Sequence, residues 1–212
     1  MRKIMLYQKR RSGSDRQAFF DAALHEQALL LERIPALERL VVSLEAEGKD
    51  ETFDAATELV FDDTHAATSG LASDSGERAL AAMRANASRF ERLDLVPHRL
   101  FNTGEPAPFK LIVALKRRTD LTRSDFRTWW LDRHAPYVVK FGELRRYQVN
   151  LVEDGPVAFV DGTAEVCFAD LAALQRVMSR DHVKEVQQDS QAHTRERYRF
   201  FVEEHVLLGE GA

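Results

Sequence analysis

The sequence predicts an α+β fold of two tandem ferredoxin-like modules, each with the order β-α-β-β-α-β, packed sheet to sheet. Three observations favour this fold. Short motifs recur at one fixed spacing, and the length of 212 residues gives each copy the size of a small domain. A predicted strand such as 111–115 is also apolar on both faces, so the sheet face that the helices leave bare needs a second sheet to cover it.

The repeat has a spacing of 107 residues. The repeated segments, each followed by its copy, are 3–11 and 110–118, 37–42 and 144–149, 53–63 and 160–170, and 98–100 and 205–207. Between the copies, residues 102–108 carry two prolines and one glycine, which is typical of a linker. The sequence therefore predicts a first module over residues 1–102, a linker over 103–107 and a second module over 108–209.

The elements of the second module follow from its local patterns. Residues 110–116 form an apolar run between two lysines and predict a buried strand. Thr122, with Asp125 three residues later, predicts the start of an amphipathic helix that reaches about Phe141. The remaining predicted elements are strands at 147–151 and 162–168 with a turn at 153–156 between them, a helix over 171–178 and a closing strand at 200–208.

Charge and composition exclude several classes of partner. The formal charge of −4 and the pI of about 6.0 lack the basic excess that attracts nucleic acid or an anionic membrane. No apolar run approaches the roughly 20 residues of a membrane-spanning helix, and no secretory signal is visible. Cys167, the single cysteine, cannot form an internal disulfide. We expect a cytoplasmic protein with neither a nucleic-acid nor a membrane partner.

The second module also resembles a known family. Its residues 109–113, 126–136 with the sequence FRTWWLDRHAP, 144–147, 161–165 and 203–206 resemble the EthD family over nearly all of residues 108–209. The first module resembles a degenerate copy, in which His25 meets His134 only if the alignment slips by two residues. The resemblance implies the dimeric α/β-barrel superfamily, where two ferredoxin-like units pack sheet to sheet. Because its members include cyclases, cofactor-free monooxygenases, isomerases and haem proteins, the resemblance implies an architecture and leaves the reaction open.

The tryptophan and His-Ala-Pro helix carries the candidate chemistry. At about 100° per residue, one core-facing sector of this helix contains Phe126, Trp130, Arg133, His134, Tyr137 and Phe141, with Trp129 at its margin. Pro136 is expected to bias Ala135 away from helical geometry, so that the helix kinks or restarts beside His134. His134 is the candidate general acid or base, since its ordinary pKa of about 6.5 permits proton transfer in both directions. The alternative is a structural histidine at a break in the helix.

Arg133 is the candidate anchor for an enolate, phenolate or carboxylate; the favoured alternative is a salt bridge, or a side chain whose stem lies over the surface with its charge in solvent. The other residues that we expect to contact the substrate are Trp129, Trp130, Tyr137, Glu165 and His205. The aromatic rings suit stacking on a flat ligand, although aromatic residues at this spacing also form ordinary cores. For Glu165 and His205 a structural role is favoured, because both recur in the first module.

The sequence contains no zinc-binding, nucleotide-binding or serine-hydrolase motif, so we expect neither a metal nor a cofactor. The leading hypothesis is a cofactor-independent enzyme that acts by proton transfer on a small aromatic or polyketide-like metabolite. Cyclisation, dehydration and isomerisation fit this chemistry, with oxygenation as a variant. Two alternatives stay open: a non-catalytic ligand-binding or accessory protein, and a haem-binding protein with one axial histidine. A homodimer is also compatible with the sequence.

Overall fold

The structure is a computed structural model that describes residues 1–46, 52–153 and 158–209. The turn that the sequence predicts at residues 153–156 lies largely outside these ranges. Contacts divide the chain into two compact units, one formed by residues 1–96 with 202–209 and the other by residues 97–201. Among the helices in the described ranges, none is long and apolar enough to cross a membrane.

The first unit contains a sheet and a layer of helices. Its elements are β1 (Arg2–Arg10), α1 (Arg16–Asp21), a π-helical turn π1 (Ala22–Gln27), α2 (Ala28–Leu31), β2 (Arg39–Glu45), β3 (Ala55–Phe61), α3 (Thr64–Leu71), α4 (Asp74–Ala85), the first part of β4 (Ala87–Asn102) and the last part of β8 (Thr194–Leu208). The strands are ordered β4-β1-β3-β2-β8. The β1–β3 and β1–β4 pairs are both antiparallel, with Leu6 opposite Thr57 and Arg92.

The second unit repeats this order. Its elements are β5 (Phe109–Arg117), α5 (Arg123–Thr128), a π-helical turn π2 (Trp129–His134), α6 (Ala135–Val138), β6 (Arg146–Val152), β7 (Gly162–Phe168), α7 (Leu171–Met178), α8 (Asp181–His193) and the remaining parts of β4 and β8. The strand order is β8-β5-β7-β6-β4. The Thr122 hydroxyl accepts a hydrogen bond from the Asp125 amide, so the predicted start of the helix is confirmed.

The spacing of 107 residues holds throughout the fold. Each element of the second unit, including both π-helical turns, begins 107 residues after its counterpart in the first. The predicted α+β class and the two ferredoxin-like modules are confirmed, and β7 and α7 have the predicted bounds. The closing strand begins at Thr194 rather than at residue 200. The helix α8 before it escaped prediction because only Val183, Val186 and Ser190 are buried along its 13 residues, which gives little apolar periodicity.

The α-helix restarts beside His134, where π2 ends and α6 begins, but the prediction that Pro136 biases Ala135 away from helical geometry is wrong. Ala135 has helical backbone angles, φ −57° and ψ −39°, and its amide donates to the carbonyl of Trp130 in the i to i+5 pattern of a π-helical turn. Pro136 then lies at the start of α6, where a missing amide donor costs little. Because π1 occurs at the same place without a proline, the wide turn belongs to the fold.

Each unit also buries a lysine–glutamate pair at equivalent positions. Lys110 on β5 is fully buried, and its Nζ lies 3.0 Å from Oε2 of Glu165 on β7. Asn150 Nδ2 donates to the second oxygen of Glu165 at 2.9 Å. In the first unit Lys3 pairs with Glu58. The buried carboxylate of Glu165 is therefore bonded within the sheet.

Candidate active site

The second unit contains a cavity of about 90 Å³ between its sheet and its helices. Apolar and aromatic side chains form most of the wall, among them Leu111, Trp130, Phe141, Tyr147 and Val166. The polar lining residues are His134, Gln187, Ser190, Gln191, Arg197 and Arg199. An apolar pocket with a few polar groups is the usual form of a site for a small molecule.

His134 lies in the wall of this cavity and is held by a carboxylate from α8. Its side chain is buried, and its Nδ1 is 2.7 Å from Asp189 Oδ2. Trp129 Nε1 donates to the same oxygen at 3.2 Å, and the Trp129 and His134 rings are 4.8 Å apart. Trp129 also stacks on His193, with 4.5 Å between the ring centroids. The two hydrogen bonds and the stacked rings fix the orientation of the Asp189 carboxylate and the His134 imidazole.

The surroundings of His134 determine its protonation. Burial lowers the pKa of His134 below its ordinary value, and this effect outweighs the hydrogen bond and the charge of Asp189, which both raise it. The imidazole is therefore neutral at pH 7. A carboxylate at Nδ1 favours the tautomer with the proton on Nδ1, which leaves the lone pair on Nε2. Nε2 is thus the ring nitrogen that can accept a proton from a ligand in the cavity.

The substitution Asp189→Asn is expected to lower the pKa of His134 further. The Asp189 carboxylate stabilises the imidazolium and so raises the pKa of His134, whereas burial lowers it. Without the carboxylate, less opposes the effect of burial, and the pKa falls. The measurement is an NMR titration of the histidine ring protons in both proteins, with the His134 signal assigned by its loss in His134→Gln. A pKa that stays the same or rises in Asp189→Asn would contradict this account of the pair.

The structure brings two of the predicted residues, Trp130 and His134, into the cavity wall, and Trp129 into contact with Asp189. Arg133 and Tyr137 instead lie on the surface, and the side chain of Tyr137 is 49% exposed. The prediction that they face the core is wrong because it assumed α-helical geometry. A π-helical turn has more residues per turn than an α-helix, so each residue of π2 advances by less than 100° around the helix axis. The side chains from this turn onward therefore point in other directions than an α-helix would give them.

Two other predicted residues lie outside the cavity lining. On β7, Ala164 and Val166 line the cavity, so Glu165 points to the opposite face of the sheet, where it meets Lys110. His205 lies on β8 opposite Val42, within the first unit. Within the ranges that the structure describes, no group of three or more His, Cys, Asp or Glu residues is arranged to hold a metal ion.

The repeat shows how the first unit differs at the equivalent positions. The counterpart of His134 is Gln27. The two-residue slip that would align His134 with His25 does not occur in the structure. Leu80 and Met83, which belong to the buried core of the first unit, correspond to Gln187 and Ser190. Other buried residues of that core cluster, at positions that line the cavity in the second unit, are Ile4, Leu6, Leu31, Ile34, Leu40, Leu59, Leu71 and Ala79. The first unit thus packs apolar side chains where the second unit keeps a cavity.

Sequence reasoning missed Asp189, Arg197 and Arg199, because they lie on α8 and on the part of β8 that was not predicted. A signal was present in the repeat itself. Apolar Leu80, Met83 and Phe90 become polar residues 107 positions later, at otherwise equivalent places. A change from apolar to polar at a position that the fold buries indicates a ligand or solvent-filled space.

Known structures are similar to this one over its full length. An anthrone oxidase-like protein matches with a TM-score of 0.75 at 9% identity, covering 100% of this chain and 94% of that chain. A proposed monooxygenase of Lactobacillus acidophilus NCFM matches with a TM-score of 0.59 at 14% identity, covering 100% and 97%. A mutant chlorite dismutase of Candidatus Nitrospira defluvii matches with a TM-score of 0.60 at 10% identity, covering 96% and 91%.

These similarities, all at low identity, concern the fold alone. Residues 118–194 match the model of the EthD domain, so the resemblance to that family is confirmed for this segment. It includes π2 and α8, and with them Trp129, His134 and Asp189. No curated protein sequence matches the chain significantly.

Proposed function

We propose that the second unit is the catalytic part of an enzyme that transfers a proton on a small aromatic or polyketide-like metabolite. The observation that carries this proposal is the His134–Asp189 pair, with Nδ1 and the carboxylate 2.7 Å apart, in the wall of a largely apolar cavity. A buried histidine whose second nitrogen is held by a carboxylate is the usual arrangement of a general base.

The first step is the removal of a proton from a carbon next to a carbonyl group. Nε2 of His134 forms a bond to this proton, and the electron pair of the broken C–H bond moves into an enolate. The Asp189 carboxylate stabilises the imidazolium that results, because it accepts the Nδ1–H hydrogen bond. The pair thus stabilises a positive charge that exists only after the proton has moved, which is what accelerates the step.

The same imidazolium then returns its proton. If it goes to another atom of the enolate, the product is an isomer. If it goes to a hydroxyl group that leaves as water, the reaction is a dehydration. If the enolate carbon attacks a second carbonyl and the proton goes to the new alkoxide, a ring closes. These three outcomes use one base and consume no further reactant.

The lining of the cavity supports an aromatic ligand. Trp130 and Tyr147 are almost completely buried, and Phe141 is also buried, so all three present fixed ring surfaces to the cavity. Burial raises the pKa of Tyr147, which keeps its hydroxyl protonated at physiological pH. Flat, apolar walls favour a flat, apolar ligand over a sugar or a nucleotide.

Hydrogen exchange into small aromatic ketones and polyketide-like phenols tests the proposal. The protein is incubated with each compound in deuterated buffer near neutral pH, and mass spectrometry follows deuterium uptake and new products. We expect at least one compound to exchange or react faster than in buffer alone, because the base must exchange its proton with solvent between turnovers. Oxygen consumption in the same mixtures separates oxygenation from simple proton transfer.

Tryptophan fluorescence provides the control for binding without chemistry. The two tryptophans of the chain, Trp129 and Trp130, both lie at the site, so a bound ligand changes their emission. Compounds that change the emission and neither exchange nor react would identify a ligand-binding protein and contradict the proposed activity.

A further inference from the structure

Two arginines lie where the cavity meets solvent. Arg197 and Arg199 on β8 both line the cavity, and both are exposed. They are two residues apart on one strand, so their side chains leave the same face of the sheet. The described lining of the cavity includes no aspartate or glutamate. The opening is therefore positively charged, while the interior is apolar.

These arginines differ from several other arginines of the second unit, which have carboxylate partners: Arg195, close to them in the sequence, lies 3.4 Å from Glu196. Arg117 pairs with Asp161 at 3.3 Å, and Arg118 pairs with Asp120 at 2.7 Å. Within the ranges that the structure describes, neither Arg197 nor Arg199 makes a hydrogen bond or a salt bridge through its side chain. Partial desolvation of its guanidinium and the nearby charge of Arg199 lower the pKa of Arg197. Two adjacent cations without a counter-charge provide a place for an anion.

The repeat shows what changed at these positions. The counterpart of Arg199 is Arg92, whose guanidinium donates two hydrogen bonds to Asp94, at 3.0 and 2.7 Å. Asp94 corresponds to Phe201, so the second unit keeps the arginine and lacks its acid. The counterpart of Arg197 is Phe90, which packs against the core of the first unit. On this face of the strand, at positions 197, 199 and 201, the second unit thus has one more cation and one fewer anion than the first unit has at positions 90, 92 and 94.

We infer that this cavity takes an aromatic carboxylate, with the carboxylate group at Arg197 and Arg199 and the ring against Trp130 and Tyr147. The inference deepens the proposed function and rests on it only in treating this cavity as the substrate site. A planar carboxylate matches the paired N–H donors of a guanidinium, which is why arginine binds it with two hydrogen bonds.

This placement also defines the orientation of the ligand in the cavity. The carboxylate binds at the exposed end of the cavity, where its charge stays partly hydrated. The apolar ring enters the cavity and approaches the wall that contains His134. The enolate formed by proton transfer would then arise on a molecule whose other end is already anchored by positive charge, so the arginines hold the substrate and the histidine acts on it.

The test compares three carboxylates, benzoate, phenylacetate and 1-naphthoate, with their neutral amides, and includes phenyl phosphate. Dissociation constants come from titration of tryptophan fluorescence at low ionic strength. We expect at least one carboxylate to bind roughly tenfold more tightly than its amide, as one charge-assisted hydrogen bond provides. In Arg197→Gln/Arg199→Gln the preference should disappear, while binding of the amide stays within about twofold. Arg92→Gln, the matched control in the first unit, should keep the preference.

Each outcome decides the inference. If no carboxylate binds more tightly than its amide, or if the double variant keeps the preference, the inference is wrong. Tight binding of phenyl phosphate without any preference for carboxylates also contradicts it. The variant His134→Gln separates this question from catalysis, because it should retain the preference. A preference that depends on the arginines, in a protein that exchanges no substrate proton, would support the inference and contradict the proposed activity.

Discussion

The variant His134→Gln is expected to lose about 10²- to 10⁴-fold in kcat/KM on any compound for which the protein exchanges or transfers a proton. Glutamine is the residue that the fold places at the equivalent position, Gln27, where it is buried. The substitution should therefore preserve folding while it removes the one group among the described lining residues that we expect to accept a proton near pH 7. Initial rates measure the loss, and circular dichroism checks the fold.

His182→Gln is the matched control for this experiment. His182 lies on α8 and its Nε2 is 3.0 Å from the backbone oxygen of Tyr137, on the outside of the helices. Its replacement should leave kcat/KM within about twofold, since it does not line the cavity. Equal rates for wild type and His134→Gln would remove the proton-transfer assignment, and a similar loss in both variants would point to a general effect on folding.

The variant Lys110→Met is expected to lower the free energy of unfolding by about 3–5 kcal/mol. Lys110 is fully buried, and its ammonium lies 3.0 Å from a Glu165 carboxylate that is itself only 4% exposed. Methionine matches the length of the lysine stem and removes the charge, so the carboxylate loses its buried cation. Urea unfolding followed by tryptophan fluorescence measures the change, because both tryptophans belong to the same unit as this pair.

The double variant Lys110→Met/Glu165→Gln distinguishes the ion pair from simple packing. Removing both charges should restore most of the lost stability, because no uncompensated buried charge remains. Lys184→Met is the control for an exposed pair: Lys184 lies 2.7 Å from Asp181, and both side chains are largely exposed, so the change should stay within about 0.5 kcal/mol. A similar loss in Lys110→Met and in the double variant would show that the lysine stem, and not its charge, matters.

The sequence predicts the fold well because the same elements occur twice. A constant spacing cannot arise from local propensity alone, and it held for every element down to the π-helical turns. The capping pair Thr122 and Asp125 predicted the start of a helix for a local physical reason, a hydrogen bond between neighbouring residues. The helix α8 was missed because it is polar over most of its length, and only its contacts with the rest of the unit bury Val183 and Val186.

The candidate site was predicted in part. Trp130 and His134 were identified correctly as facing the interior, but the same arithmetic failed for Arg133 and Tyr137, because π2 departs from the α-helical repeat. The partner of His134, Asp189, lies 55 residues later in the chain, and no local pattern connects the two. A hydrogen bond between distant elements depends on the tertiary fold, which periodicity does not reveal.

The first unit has buried apolar side chains at the positions that line the cavity of the second unit, and this difference bears on how such a protein can change. When two identical subunits form one assembly, every substitution appears twice, and a void or an unneutralised charge weakens both halves at once. Here each half is encoded by its own residues. The stability of the well-packed half can therefore compensate for the void and the unneutralised charge in the other half. New specificities can then be acquired in one half alone, while the other remains the scaffold.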